Sequence, residues 1–295
     1  MKQLTVFTPT FNRAYCLHQV YESLLKQTNP NFIWMIIDDG SIDATKDLVA
    51  HWIESNLIEI IYIFQQNQGM HGAHNTAYAN ITTTYNVCID SDDYLTIDAV
   101  GIILEQIIDL DTSKFAGLLA LDADKFGVII GTKIPDFLRA VKLHELYIQY
   151  KMKGDKKIVL KTDIANKFPP YPLFKNERFV PLDYKYLMIN QTYYFKPVNS
   201  VFCVVEYQSD GSTMNIFKQY RKNPKGFAFS RISRINYVPS INNKIRNSIH
   251  LVSSIIFSKD SSDLFKTKYT IIVLMCIPFG VLLNLYIRFK TVTRK

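Results

Sequence analysis

YNVCIDSDDYL, residues Tyr85 to Leu95, runs an apolar strand straight into three carboxylates, Asp90, Asp92 and Asp93. Crowding or burying like charges raises their pKa values and costs stability, so such a cluster faces water or shares a cation. Asp90 and Asp92 are two apart, which in an extended segment places both side chains on one side, suited to gripping one hard divalent ion. That ion, Mn2+ or Mg2+, would in turn hold a diphosphate. Taken alone, the stretch reads equally well as a solvated turn after an edge strand, with Thr96 or Asp98 capping a helix over residues 97–110.

From the N-terminus, residues 3–8 read as a buried strand and PTFNR as a turn. Residues 14–27 follow as a helix, with Leu17, Val20, Tyr21, Leu24 and Leu25 at helical spacing. Residues 32–37 form the next strand, DDGS follows, and Ser41 or Asp43 caps a second helix through about Glu54. Residues 58–64 are a third strand, NQGMHGAHN opens a helix to about Asn80, and residues 85–89 are the fourth strand. This alternation predicts an α/β fold with a doubly wound, mainly parallel, Rossmann-like sheet. Ligands of such sheets bind beyond the carboxyl ends of strands, where the strand order switches. Polar residues fall there three times: Thr8, Thr10, Asn12 and Arg13 after the first strand, Asp38 and Asp39 after the second, and the acids after the fourth.

The first of these clusters offers hydroxyl, amide and guanidinium groups beside a helix N-terminus, suited to a nucleotide's sugar and phosphates or simply to a strand-to-helix turn. Asp39 could accept hydrogen bonds from a base such as uracil while Gly40 lets the backbone turn sharply; an Asp-Gly turn with an N-cap is the plain alternative. His71 and His74, one turn apart at the start of the third helix, could reach a diphosphate or pack inward.

TPTFNR, IIDDGS, NQGMHGAHN and IDSDDYL, in this order and spacing, resemble the family 2 inverting glycosyltransferases with the GT-A fold, of bacterial surface-polysaccharide type. The resemblance runs from residue 3 to about residue 98. It implies that Asp39 contacts the nucleotide base and that Asp90 and Asp92 form the metal-binding acid pair, with Asp93 beside them. It also implies a donor site drawn from Thr8, Pro9, Thr10, Asn12, Arg13, Asp39, His74, Asn75, Asp90 and Ser91. Many members carry an arginine before the asparagine of the third block, where this chain has His74.

Beyond residue 110, residues 115–121 and 127–130 read as strands and 136–152 as a helix, a region expected to carry acceptor specificity. An inverting transfer needs a carboxylate to deprotonate the acceptor hydroxyl. In YPLFKNERFVPLDYKY, Tyr171 to Tyr186, Pro181 suits a helix N1 position and Asp183 the first turn, making Asp183 the expected base. Similar transferases carry an acidic pair there, and Leu182 stands in the first place of that pair, so Glu177 is the rival. Residues 192–207 read as one or two strands. EYQSDGST then resembles the stretch that closes over the diphosphate, with Tyr207 and Ser212 as phosphate contacts. Lys218 to Phe227 is basic with an interleaved aromatic and could line an anionic donor or lipid headgroup, or form a solvated face.

The 295 residues divide on this reading into a nucleotide-sugar half (1–110), an acceptor half (111–215) and a basic helical extension (216–295). Of 34 Lys+Arg and 26 Asp+Glu, 14 basic but 2 acidic residues lie from Arg221 onward, so the net charge of +8 resides in the tail. The apolar run Ile271 to Leu283, flanked by Lys266, Lys268, Arg288, Lys290, Arg294 and Lys295, points to a membrane surface rather than nucleic acid. Even extended through Ile287 to about 17 residues, with Pro278 and Gly280 inside it, the run is short for a span, so an interfacial or re-entrant helix is expected, a buried core helix being the plain alternative. The N-terminus lacks an apolar core of signal-peptide length, and Cys16, Cys88, Cys203 and Cys276 show no metal-type pairing, so a reduced, cytoplasmic-face location is expected.

The expectation is a metal-dependent inverting transferase moving a sugar from a nucleoside diphosphate, taken as uridine diphosphate, to a hydroxyl of a polyprenyl-linked glycan. Two alternatives are a nucleotidyltransferase, for which TPTFNR lacks the Gly-rich phosphate loop, and a non-catalytic nucleotide-sugar-binding protein.

Overall fold

Two strands of the N-terminal half are buried along their whole length: β1 (Leu4–Thr10) and β2 (Phe32–Asp38). A strand without a wet face needs helices over both sides of its sheet, and the computed structural model, which describes residues 2–206 and 216–292, supplies them. In chain order come α1 (Leu17–Leu25), α2 (Thr45–Ser55), β3 (Ile60–Phe64), α3 (Met70–Asn80), β4 (Tyr85–Cys88), β5 (Tyr94–Leu95) and α4 (Ala99–Ile107). There follow β6 (Phe115–Ala123), α5 (Leu143–Ile148), β7 (Lys156–Lys161), α6 (Thr162–Lys167), α7 (Asp183–Ile189) and β8 (Tyr194–Val204). The remainder is helical: α8 (Ile216–Lys222), α9 (Pro224–Tyr237), α10 (Ile241–Ser258), α11 (Thr270–Met275) and α12 (Ile277–Val292).

The eight strands form one sheet in the order β3-β2-β1-β4-β7-β6-β8-β5. β3, β2, β1 and β4 are mutually parallel, and the strand order reverses between β1 and β4, as in a doubly wound fold. The far half departs from the all-parallel pattern because β7 runs antiparallel between β4 and β6. Under the β1–β2 end, the rings of Tyr21 and Trp52 stack at 4.4 Å and Trp34 lies 5.6 Å from Trp52, filling the core with aromatic surface.

The chain divides into two compact units. Residues 2–68, 72–170 and 192–206 hold the sheet. Residues 69–71, 171–191 and 216–292 form a helical unit with its own small core of Ala228, Ile235, Leu251, Val252, Ile255 and Val273.

Two expected elements differ. Residues 127–130 form no strand, only a bridge between Ala123 and Ile129. The expected 136–152 helix shrinks to α5, because Val141 exchanges backbone hydrogen bonds of 3.0 and 2.8 Å with Phe195 and Lys151 adopts φ 52°. Both commit the flanks to non-helical backbone.

At the end of β2, Gly40 has φ +89°, and a Cβ there would lie 3.0 Å from the Asn67 backbone nitrogen. Gly40→Ala is expected to lower unfolding stability by about 1–3 kcal/mol. A denaturation midpoint equal to that of the unsubstituted protein would contradict this.

Candidate active site

In the sheet unit, the loops after β1, β2 and β4 meet at the carboxyl rim of the parallel strands. The Asn12 N–H donates to Ser41 Oγ (2.8 Å), the Ile42 N–H donates to Asn12 Oδ1 (2.8 Å), and the Ala14 N–H donates to Asp43 Oδ2 (3.0 Å). These bonds clamp the first two loops together, and Asn12 takes φ 54° to make them. Asp38 accepts from the Ser41 N–H (2.8 Å) and the Tyr62 hydroxyl (2.6 Å). Asp39, buried, accepts at Oδ1 from Gln65 Nε2 (2.7 Å) and the Gln68 N–H (2.8 Å), which fixes the loop leading to α3. Arg13 lies over the Tyr15 ring and bonds its hydroxyl.

Thr8 does not face the rim. It is fully buried and its hydroxyl accepts from Trp34 Nε1 at 3.0 Å, so its task is to hold the core indole. Pro9 is buried in register with Ile37, and the buried Thr10 hydroxyl has no hydrogen-bond partner among the described residues. Phe11, which the motif reading passed over, is 46% exposed beside them.

The three acids after β4 divide. Asp90 and Asp92 are half-buried, while Asp93 is buried and Ser91 nearly so. Asp93 Oδ2 lies 3.8 Å from Lys157 Nζ on β7, and its Oδ1 accepts from the Glu206 N–H at 3.3 Å. Burial pushes the Asp93 carboxyl up to about 7, against the opposing pull of Lys157. Burial also disfavours the Lys157 ammonium, yet its surroundings, including Asp122, Asp93 and Asp90, outweigh this and raise its pKa. Asp93 thus serves as the ion-pair partner of Lys157, and among the described residues no three His, Cys, Asp or Glu side chains converge on a metal position. Asp90 and Asp92 still fit a hard divalent ion. Their oxygens are hard donors, they are open to water, and Mg2+ or Mn2+ is commonly held by one or two carboxylates plus substrate phosphates.

On α3, His74 is 1% exposed and packs edge-on against Phe7 (5.0 Å) and Tyr78 (5.8 Å), with Nε2 3.6 Å from Cys88 Sγ. That places its ring among core aromatics. Asn75, the next residue, is half-buried. His71 groups with the helical unit and is equally buried. Burial, then the charge of Arg178, holds its pKa down to about 4, so the ring is neutral.

In the helical unit, the two candidate bases have different partners. Glu177 accepts from the N–H groups of Lys225 (3.0 Å) and Gly226 (2.9 Å) in the first turn of α9, while Asn223 Oδ1 accepts from the Arg178 N–H (2.8 Å). Burial raises the Glu177 pKa despite these two donors. Both its oxygens are occupied in capping a helix, a structural task. Asp183 opens α7 in the expected first-turn position, with Leu182 rather than Pro181 immediately before the helix. Its Oδ2 accepts from Arg234 Nε (2.8 Å) and Nη2 (2.7 Å), and its Oδ1 has no hydrogen-bond partner among the described residues. One oxygen is thus pinned by Arg234, and the other is buried without a hydrogen-bond partner among the described residues. Tyr207 and Ser212 lie outside the described residues.

Residues 5–158, more than half of the chain, match the profile of Glycosyl transferase family 2, and the chain belongs to that family. Glycosyltransferase GlyA of Streptococcus pneumoniae is 31% identical over 115 residues, 39% of this chain and 16% of that protein. The teichuronic acid biosynthesis glycosyltransferase TuaG assigned to Bacillus subtilis is 27% identical over 139 residues, 46% of this chain and 52% of that protein. The chain thus spans only part of the length of these curated relatives. Among solved structures, Staphylococcus aureus TarS 1–349 superposes with TM-score 0.56 at 17% identity, covering 90% of this chain and 75% of that one. The mannosyltransferase PcManGT of Pyrobaculum calidifontis, in complex with GDP-Man and Mn2+, gives 0.58 at 16%, covering 96% and 87%. The fold is therefore the GT-A fold that the resemblance implies.

Glu177→Ala strands two buried N–H groups and is expected to cost about 1–3 kcal/mol of stability by chemical denaturation while leaving nucleotide binding in place. Unchanged stability together with abolished turnover would instead make Glu177 the base.

Proposed function

We propose that the chain is an inverting glycosyltransferase that moves a sugar from a nucleoside diphosphate, uridine diphosphate first, to a hydroxyl of a lipid-linked glycan in cell-surface polysaccharide synthesis. The observation that carries this reading is the half-exposed pair Asp90 and Asp92 on the same rim as the clamped loops of Asn12, Arg13 and Asp39. TarS has also been solved with UDP and with UDP-GlcNAc, which supports the choice of nucleotide.

In this mechanism Asp39 fixes the loop against which the base is read, and the exposed face of Phe11 stacks on it. Thr10, Asn12, Arg13 and Asn75 orient the ribose and diphosphate, and Pro9 and Ser91 contribute backbone to the rim. Asp90 and Asp92 would hold Mn2+ or Mg2+, which when bound neutralises charge on the departing diphosphate. Asp183 takes the acceptor proton, with Arg234 fixing the orientation of its carboxylate. Attack from the face opposite the leaving group then gives a β-linked product from an α-linked donor.

We further propose a peripheral site on the cytoplasmic face of the membrane. No helix among the described residues is long and apolar enough to cross a bilayer. One face of α11 and α12 is buried on α10, through Val273, Ile287 and a bond from Asn284 Nδ2 to Ser253 O (3.1 Å). The opposite face presents Ile271, Met275, Phe279, Leu282, Leu285 and Phe289 to solvent. An exposed apolar stripe flanked by Lys266, Lys268, Arg288 and Lys290 has the chemistry of an interfacial helix on anionic lipid.

Calorimetric titration with uridine diphosphate is expected to show binding that requires Mn2+ or Mg2+ and is lost in Asp92→Asn. Binding by neither uridine, guanosine nor thymidine diphosphate would end the transferase reading. For the membrane, Phe279→Asp with Leu282→Asp is expected to release the protein from phosphatidylglycerol vesicles with its folding intact. Removing residues 266–295 would also strip α10 of its cover, so the point variants are the cleaner test. Equal partitioning of variant and parent would remove the membrane from the account.

A further inference from the structure

Residues 216–292 contain 13 Lys+Arg and 2 Asp+Glu. The two acids are engaged locally: Asp260 accepts from the Ser262 hydroxyl (2.7 Å) and Asp263 pairs with Lys266 (2.7 Å). Within residues 216–292 the arginines of α9 and α10 therefore share little negative charge; the other acids of the helical unit among the described residues are Glu177, spent on the first turn of α9, and Asp183. Among the described residues the one ion pair they make is that of Arg234 with Asp183.

Arg231, one turn before Arg234 on α9, is held by neutral groups only. Its Nη1 donates to Asn247 Oδ1 (3.0 Å) and its Nη2 to the Tyr220 hydroxyl (3.4 Å). Asn247 spends its own amide hydrogens on Asn243 O (2.8 Å) and Oδ1 (2.7 Å), so its carbonyl is committed to Arg231. The ring of His250 lies 5.7 Å from that of Tyr220, and Arg246 stands four residues earlier on α10. Burial together with Arg234 and Arg246 presses the Arg231 pKa down to about 10. Burial together with the three guanidiniums keeps His250 neutral, down to about 4. Gathering like charges around half-buried groups is unfavourable unless an anion completes the set. Guanidinium forks match the paired oxygens of phosphate, and each has donors to spare beyond the bonds named.

We infer that Arg231, Arg234, Arg246 and His250 form an anion site for phosphate carried by the acceptor, adjoining Asp183. The inference rests on the reading of Asp183 as the base. Arg234 belongs to both, with its Nε and Nη2 turned to Asp183. One Asp against three guanidiniums leaves two positive charges, the complement of a phosphomonoester, a diphosphate or two successive phosphodiesters. The acceptor would then be a phosphate-bearing chain, and recognition of its phosphate would set the hydroxyl in register with the Asp183 carboxylate.

Arg246 is exposed and makes no hydrogen bond among the described residues, so Arg246→Gln is expected to fold as the parent does. The full chain and Arg246→Gln are titrated with a defined glycerol phosphate oligomer, a neutral maltooligosaccharide of equal length, uridine diphosphate, and phosphatidylglycerol vesicles. The expected result is oligomer binding by the parent that falls about tenfold in the variant, with no saccharide binding and unaltered affinity for uridine diphosphate and vesicles. An oligomer that binds neither protein, or both equally, overturns the inference. So does a variant that loses uridine diphosphate instead, which would make the cluster a donor site, or one that loses vesicles alone, which would make it a headgroup site. Failure of the transferase reading shows separately, as a parent that does not bind uridine diphosphate.

Discussion

The buried ion pair between Asp93 and Lys157 is what allows a row of carboxylates to stand at the end of a core strand. Three acids in four residues would repel one another, and the one that points into the protein carries the largest desolvation cost. A lysine from β7, itself nearly enclosed, meets that acid and lends its charge to Asp90 as well. Asp90 and Asp92 are then left half-open at the rim, where a cation and a diphosphate can reach them. The antiparallel insertion of β7 between β4 and β6 thus has a functional consequence: it carries the counter-charge to the place where the parallel half of the sheet ends.

The same division of labour recurs in the helical unit. Glu177 and Asp183 lie six residues apart, but helix α9 treats them differently. Its N-terminal N–H groups occupy both oxygens of Glu177, whereas Arg234, further along, occupies one oxygen of Asp183. A saturated carboxylate locks a loop, and a half-saturated one can still take a proton.

Much of this was legible in the sequence, for a physical reason. The strands β1 to β4 are continuous apolar runs broken by polar turns, so their alternation with helices, the rim residues and the first-turn position of Asp183 could all be read locally. What escaped depended on partners remote along the chain. KKIVLK is charged at both ends and lies beyond the regular strand-helix alternation, yet it forms β7 and supplies Lys157. Thr8 and His74 sit in motif positions, but Trp34 and the Phe7–Tyr78 rings claim them for the core. Glu177 stands as the rival base because Leu182 takes the first place of the expected acidic pair, and the helix that Glu177 caps begins far downstream.

The central claim is that the chain carries out an inverting transfer with Asp183 as its base, and the anomeric outcome of that transfer tests it most directly. Water can replace the acceptor, so proton NMR of the purified protein with UDP-GlcNAc or UDP-glucose and Mn2+ follows the sugar as it is released. The account predicts that the β-anomer forms first from the α-linked donor, and that Asp183→Asn suppresses its formation. An α-anomer formed first, or release undiminished in that variant, would contradict it.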